Sequence, residues 1–212
     1  MEILIILMMI LSLLVFGFRS YKLSIISYVL EAIALVCVFL FLANEYKANE
    51  LFSWAIIAFF IKVIAVPLIL FTLVKKLGVT HEVEPVGGFL VSPLIAFAFS
   101  IGSAMLIAPI FMEFSLIKNE TALIGGIFIF MVGIFGFILR NSFVKQILSY
   151  CLFENGIHLS LALTAYNSHA LVELGILSDA VFAIIIMSIL AFAYYKIYGT
   201  LDTSICKELF KI

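Results

Sequence analysis

Residues 140–167 read RNSFVKQILSYCLFENGIHLSLALTAYN. The run is long and apolar enough to cross a bilayer, which takes about 20 residues of helix. Yet Glu154 and His158 sit in its middle. Tyr150, Glu154 and His158 follow one another at i, i+4 and i+8, so they share one helix face. Glu154 lies nine residues past Lys145, which is ~14 Å along a helix and close to the midplane of a ~30 Å hydrocarbon layer. An ionisable group there costs at least a few kcal/mol, which makes it a candidate functional group by default. Hydrocarbon also favours the uncharged form of any acid or imidazole, the condition under which a proton is exchanged.

The rest of the chain agrees with a membrane setting. Of its 212 residues 66% are apolar and only 12% charged, with a mean hydropathy of +1.31. Soluble domains run near 45–50% apolar and about 25% charged, so the fold class is an all-α polytopic membrane protein. No basic run and no nucleic-acid motif appears. Cys37, Cys151 and Cys206 are far apart and form no CxxC, which supports neither a cluster nor a zinc site. The opening MEILIILMMILSLLVFGF has no basic n-region and no small-residue cleavage site before Arg19. It is expected to stay as a first span.

Seven spans are predicted, at about 2–18, 22–44, 51–74, 88–112, 121–139, 143–166 and 172–195. Arg19, Lys22, Lys75, Lys76, Arg140, Lys145, Lys196, Lys207 and Lys211 then fall on one face, and only Lys47 and Lys118 on the other. The positive-inside rule makes the first face cytoplasmic, with the N-terminus outside and the C-terminus inside. RSYKLSIISYVLEAIAL (19–35) resembles RNSFVKQILSYCLFENGIHL (140–159) at an offset near 122. Spans 1–3 would thus repeat as spans 5–7 in parallel orientation, with span 4 as the link. Chance similarity is the alternative. The expected division is a three-helix repeat over 1–78, a linker and fourth helix over 79–120, a second three-helix unit over 121–199 and a short tail over 200–212.

Other polar residues join the list of candidates. Lys62 sits mid-span, twelve residues from Glu50 and thirteen from Lys75. Pro67, five residues on, cannot donate a backbone hydrogen bond, so a kink and a freed Val63 carbonyl are expected beside the lysine. Asp179 lies in the outer third of the seventh span, and Glu31 in the second span at a depth similar to Glu154. Glu154 or Glu31 with Lys62 could be a structural ion pair between helices. However, four ionisable groups and a histidine exceed what packing needs, which favours a proton or ion path. His158 has no second metal ligand at suitable spacing. His81, Glu82 and Glu84 fall on the joint 75–87 and read as a solvated turn. Gly125, Gly126, Gly133 and Gly136 in the fifth span read as close helix packing, or as a helix that can bend.

The stretch YCLFENGIH (150–158) resembles the signature of the hydrogenase-4 component E family. IKVIAVPLI (61–69), ELGILSDAVFA (173–183) and GTLD (199–202) fit the same family in order. Its C-terminal part is similar to subunit K of respiratory complex I, a three-span protein with a buried Glu in each of its second and third spans. By that resemblance Glu154 takes the first position and Asp179, a shorter acid, the second. Lys62 with Pro67 gains weight, whereas Glu31 matches no family signature and drops in rank. The resemblance implies a multi-pass subunit of the prokaryotic cytoplasmic (inner) membrane, in an energy-converting nickel–iron hydrogenase of the hydrogenase-4 or formate hydrogenlyase type. It implies antiporter-like and other membrane-arm subunits, the nickel–iron large and small subunits and the lipid bilayer as partners. The nickel–iron centre and iron–sulfur clusters are expected in those partners, with no cofactor and no catalytic residue in this chain. The proton or cation path is expected to use Glu154, Lys62, Asp179, His158, Glu31 and Tyr150. Alternatives are a subunit of a multisubunit cation/proton antiporter and a passive scaffold for the redox arm.

Overall fold

A computed structural model describes residues 1–167 and 170–205, without the side chains of 170–180. It contains seven helices: α1 (Glu2–Gly17), α2 (Tyr21–Glu45), α3 (Glu50–Leu77), α4 (Gly88–Phe114), α5 (Glu120–Leu139), α6 (Phe143–Thr164) and α7 (Ala170–Tyr198). The bounds follow the predicted spans within a few residues. Five helices are long and apolar enough to cross a membrane: α2, α3, α4, α5 and the described part of α7. α1 is shorter, at 16 residues, and α6 is diluted by Lys145, Gln146, Glu154, Asn155 and His158. The chain is a multi-pass membrane protein.

Each half of the chain packs the same way. α1 packs on α2 and α2 on α3, as α5 packs on α6 and α6 on α7. The connection back is also the same. After α3, Gly78 adopts a left-handed φ of 67°, and the chain returns to bridge Ser20 through His81. After α7, Gly199 adopts φ 69°, and the chain returns to bridge Ser142 through Asp202. The backbone bonds correspond as well: Tyr21 N–H to Thr80 O (3.1 Å) and Glu82 N–H to Arg19 O (2.9 Å) answer to Phe143 N–H to Leu201 O (3.2 Å) and Thr203 N–H to Asn141 O (2.7 Å). An offset of 121–122 residues relates every member of these pairs, in agreement with the parallel repeat expected from 19–35 and 140–159. α4 stands outside the repeat. It lays the small-residue stripe Ser92, Ala96, Ser100, Ala104 and Ala108 inward, and most of its remaining surface is exposed.

α5 and α6 approach closely because their glycines interlock. A Cβ at Gly133 would lie 2.5 Å from the Phe153 backbone nitrogen, and one at Gly156 would lie 2.6 Å from the Gly126 carbonyl oxygen and the Phe130 Cα. Gly126 meets Ser160 and Gly136 meets Ser149 in the same interface, and Gly125 instead receives Ile5 of α1. Close packing of this kind supplies van der Waals contact where lipid removes any hydrophobic drive between helices.

The structure corrects two expectations. The joint 75–87 is not a solvated turn throughout. His81 and Glu84 are exposed, but Glu82 is buried, because the bond from its N–H to Arg19 folds it under the bundle. The break around Pro67 also takes another form. α3 runs as a π-helix over Phe59–Ala65, with the Val66 N–H reaching Ile61 O. With no donor at Pro67 the i−4 ladder cannot be kept through this turn, and a wider one takes its place.

Alanine at Gly133 or Gly156 would need backbone to move, whereas a Cβ at Gly102 meets nothing within 4 Å. Gly133→Ala or Gly156→Ala is expected to cost about 1–3 kcal/mol, read as a lowered thermal midpoint in detergent, with Gly102→Ala unchanged.

Candidate functional site

The π turn of α3 sets Lys62 inside the bundle, where its side chain is almost wholly enclosed. Lys62 continues the inward stripe of Leu51, Ala55 and Ala58, which runs on through Val66 and Leu70. Its neighbours Phe59 and Phe60 are exposed. The Lys62 ammonium donates to Asn155 Oδ1 at 2.6 Å, lies 2.7 Å from His158 Nδ1 and forms an ion pair with Glu154 Oε1 at 3.1 Å. His158 Nδ1 is also 3.3 Å from Glu154 Oε1, one helical turn apart on α6. Asn155 turns its other end to α2, where its Nδ2 donates to Glu31 Oε2 at 2.5 Å. Thus one ammonium from α3 meets the Glu154 carboxylate of α6 directly and the Glu31 carboxylate of α2 through Asn155; α2 and α6 are the two central helices of the repeat. All five residues are buried.

Burial of this many polar atoms is tolerated only because they satisfy one another. Still, Glu31 Oε1 and His158 Nε2 have no hydrogen-bond partner among the described residues. With both carboxylates ionised, Lys62 protonated and His158 neutral, the group carries one net negative charge. One more proton makes it neutral. An arrangement one proton short of neutrality in a dry interior is suited to taking up and releasing a single proton.

The structure therefore brings together Glu154, Lys62, His158 and Glu31. Glu31, which matches no family signature, stands in the group through Asn155. Its signal was in the repeat, which aligns Glu31 with Glu154 to within one residue. Asn155 is the residue that sequence reasoning passed over: its one amide links Lys62 of α3 to Glu31 of α2. Tyr150 is half-buried, with its ring 6.3 Å from that of Phe153. Pro67 is buried directly after the π turn. Asp179 lies outside the residues whose side chains are described.

A second buried charge group lies at the end of the bundle that carries the joint 75–87. Arg140 donates from Nη1 to Glu82 Oε2 at 2.9 Å, and Lys145 Nζ is 3.9 Å from the same oxygen. Lys145 also donates to the carbonyls of Val15 (2.7 Å), Phe16 (3.3 Å) and Phe18 (2.5 Å) and to Ser24 Oγ (2.7 Å), capping the C-terminus of α1. Arg140 stacks 4.1 Å over the Phe16 ring. Burial raises the Glu82 carboxyl above its ordinary value, against the pull of Lys145 and Arg140. By sequence Arg140 and Lys145 fall on the face predicted to be cytoplasmic. Both are interior and committed to partners.

Among the described residues no group of three His, Cys, Asp or Glu side chains is placed to hold a metal ion. Lys62→Met would leave two buried carboxylates without their cation, at about 3–5 kcal/mol. Adding Glu154→Gln should return part of that loss. The check is a double-mutant cycle on thermal stability in detergent, in which the two effects are expected to be far from additive.

The family model described as NADH-ubiquinone/plastoquinone oxidoreductase chain 4L matches residues 121–209, the second copy of the repeat. The chain is similar to hydrogenase-4 component E of Escherichia coli (strain K12), with 33% identity over 198 residues, 93% of this chain and 91% of that one. The same figures hold for hydrogenase-4 component E of Escherichia coli O157:H7 and of Shigella flexneri. No solved structure matches. With that identity carried over nearly the whole length of both chains, this protein belongs to the hydrogenase-4 component E family.

Proposed function

We propose that this chain is a membrane subunit of an energy-converting nickel–iron hydrogenase and that its buried cluster is part of the proton path coupled to hydrogen metabolism. The observation that carries the reading is the set of contacts around Lys62: one ammonium held by Glu154, Asn155 and His158, with Glu31 behind Asn155. A structural ion pair needs one acid and one base. Here a second acid and an imidazole are added at the same depth, at a desolvation cost that only a change of protonation state would justify.

In operation, a proton enters the cluster and neutralises its net negative charge. Protonation of Glu154 loosens its hold on Lys62. Because Asn155 touches both Lys62 and Glu31, a change at either carboxylate is felt at the other through Lys62 and Asn155. The partners belonging to this reading are antiporter-like membrane subunits, which would extend the path, and the hydrogenase large and small subunits, which would carry the nickel–iron centre and the iron–sulfur clusters. The site lies in the prokaryotic inner membrane, with the face of Glu82 and Arg140 toward the cytoplasm.

Glu154→Gln keeps the shape and removes the ionisable group. In the assembled complex it is expected to preserve hydrogen evolution by the redox arm while proton movement in membrane vesicles falls about tenfold or more. Assembly is followed on native gels. Wild-type proton movement in an assembled Glu154→Gln complex would sink the proton-path role and leave the scaffold reading.

A further inference from the structure

The inner seam of α2 is polar in one half and apolar in the other. Tyr21, Ser24, Tyr28 and Glu31 follow at heptad spacing and are all buried. The same seam continues as Leu35, Val38 and Leu42, each with no exposed surface. α6, its counterpart in the repeat, behaves alike. Ser142, Lys145 and Ser149 are buried before the cluster, and Leu159, Ala162 and Leu163 close it off beyond. Both central helices therefore line one side of the cluster with hydroxyls and charge and seal the other with hydrocarbon. Packing alone would not place the polar residues of two helices in the same half, since each buried hydroxyl costs free energy unless it is bonded.

The polar half connects the two charged groups. At its outer end stand exposed His81 and buried Glu82, then Lys145, 3.9 Å from Glu82 and 2.7 Å from Ser24 Oγ. Tyr28 is one turn deeper, ~6 Å along α2, and is buried, as is Cys151 on α6. Glu31 is three residues further, ~4.5 Å, with Oε2 on Asn155 and Oε1 unpartnered among the described residues. At the outer end Glu82 Oε1 is unpartnered in the same way. An open acceptor thus stands at each end of the line. Between them Ser24, Tyr28 and Glu31 lie four and three residues apart on one buried face of α2, the spacing at which neighbouring side chains meet along a helix.

We propose that protons reach the Glu31–Lys62–Glu154 cluster from the face that carries Glu82, through Lys145, Ser24 and Tyr28, as a one-sided access path along the α2–α6 seam. The proposal rests on the proton-path reading above and deepens it. Each hydroxyl takes a proton on its oxygen and releases its own to the next acceptor. Lys145 gives up one proton and regains one, so the line consumes nothing and resets by rotation of the hydroxyls. Glu31 is the receiving group, and Asn155 passes the change in charge to Lys62.

The test uses Tyr28→Phe and Ser24→Ala in the whole complex, in inverted membrane vesicles, with a dye that reports proton uptake during hydrogen evolution. Each variant removes one hydroxyl and little volume. Proton uptake is expected to fall about tenfold with hydrogen evolution and assembly retained, and the solvent deuterium isotope effect on the residual uptake is expected to rise, which a packing defect would not cause. Should Tyr28→Phe fail to assemble, Ser24→Ala alone carries the test. Wild-type uptake in the assembled variants overturns the route. If Glu154→Gln abolishes uptake in the same vesicles, only the route has failed. If Glu154→Gln also leaves uptake unchanged, the proposed function falls with it.

Discussion

A charged ammonium in a hydrocarbon interior has to be compensated on the spot, and the bundle is arranged around doing so for Lys62. It lies in a helix that is otherwise largely lipid-facing, with Ile56, Phe59, Phe60 and Leu68 exposed. Residue 62 falls on the inward stripe of that helix, between buried Ala58 and Val66, and the turn that carries it is widened to a π turn where Pro67 lacks a donor. The carboxylates must then come from neighbouring helices, and they must be near the axis of the bundle. That requirement falls on α2 and α6, which are the helices that the repeat brings together at the centre.

The repeat accounts for why two acids meet one base. Parallel copies place corresponding residues at the same depth, so an acid retained in both copies appears twice at the midplane, once as Glu31 and once as Glu154. A lysine is found in only one copy: residue 183, offset by 121 from Lys62, is Ala183. The result is asymmetric in charge although nearly symmetric in backbone. Tyr21 and Ser142, at neighbouring positions of the two copies, mark this junction with a 2.7 Å hydrogen bond. The interlocking glycines of α5 and α6 complete it. Without a close approach there, the α6 backbone would be pushed away and Asn155 could not span from Lys62 to Glu31.

The span pattern was legible because it rests on composition, and the bilayer sets helix length almost regardless of contacts. Glu154, Lys62 and His158 were legible because an ionisable residue in an apolar run is conspicuous whatever its partner. A pairing of Lys62 with Glu154 or Glu31 could be read from charge, but the other partners could not. Asn155 is uncharged and sits beside a glycine, so only the contact across to α2 distinguishes it. Glu82 sits in a joint rich in turn residues, and local composition argues for exposure there. Its burial is decided by a backbone bond to Arg19 sixty-three residues away, and by the two cations beneath it. The π turn was hidden for the same reason: Pro67 announces that the ladder is broken, but whether a helix kinks or widens depends on what its neighbours can accept. The repeat carries tertiary information of its own, since it sets Glu31 at the depth of Glu154 although no family signature marks it.

The two buried groups differ in sign, and that difference ties them together. At the rim, Glu82 meets Arg140 and Lys145, a net charge of +1 if all are ionised. At the centre, Glu31 and Glu154 meet Lys62, a net charge of −1. Lys145 and Glu154 are nine residues apart on α6, ~14 Å along the axis, where opposite unit charges attract by about 1 kcal/mol at an effective dielectric near 20. The rim group thereby favours the proton-deficient state of the centre. Lys145 would itself be poorly placed near the N-terminus of α6, whose dipole repels a cation. It is held there by the C-terminal carbonyls of α1, which present the opposite end of a helix dipole to the same ammonium. Arg140 gains likewise from the face of Phe16. The charge that steadies the centre is thus anchored by backbone carbonyls and an aromatic ring, neither of which titrates: Arg140 keeps its charge throughout, and the α1 carbonyls favour the return of a proton to Lys145 after each transfer.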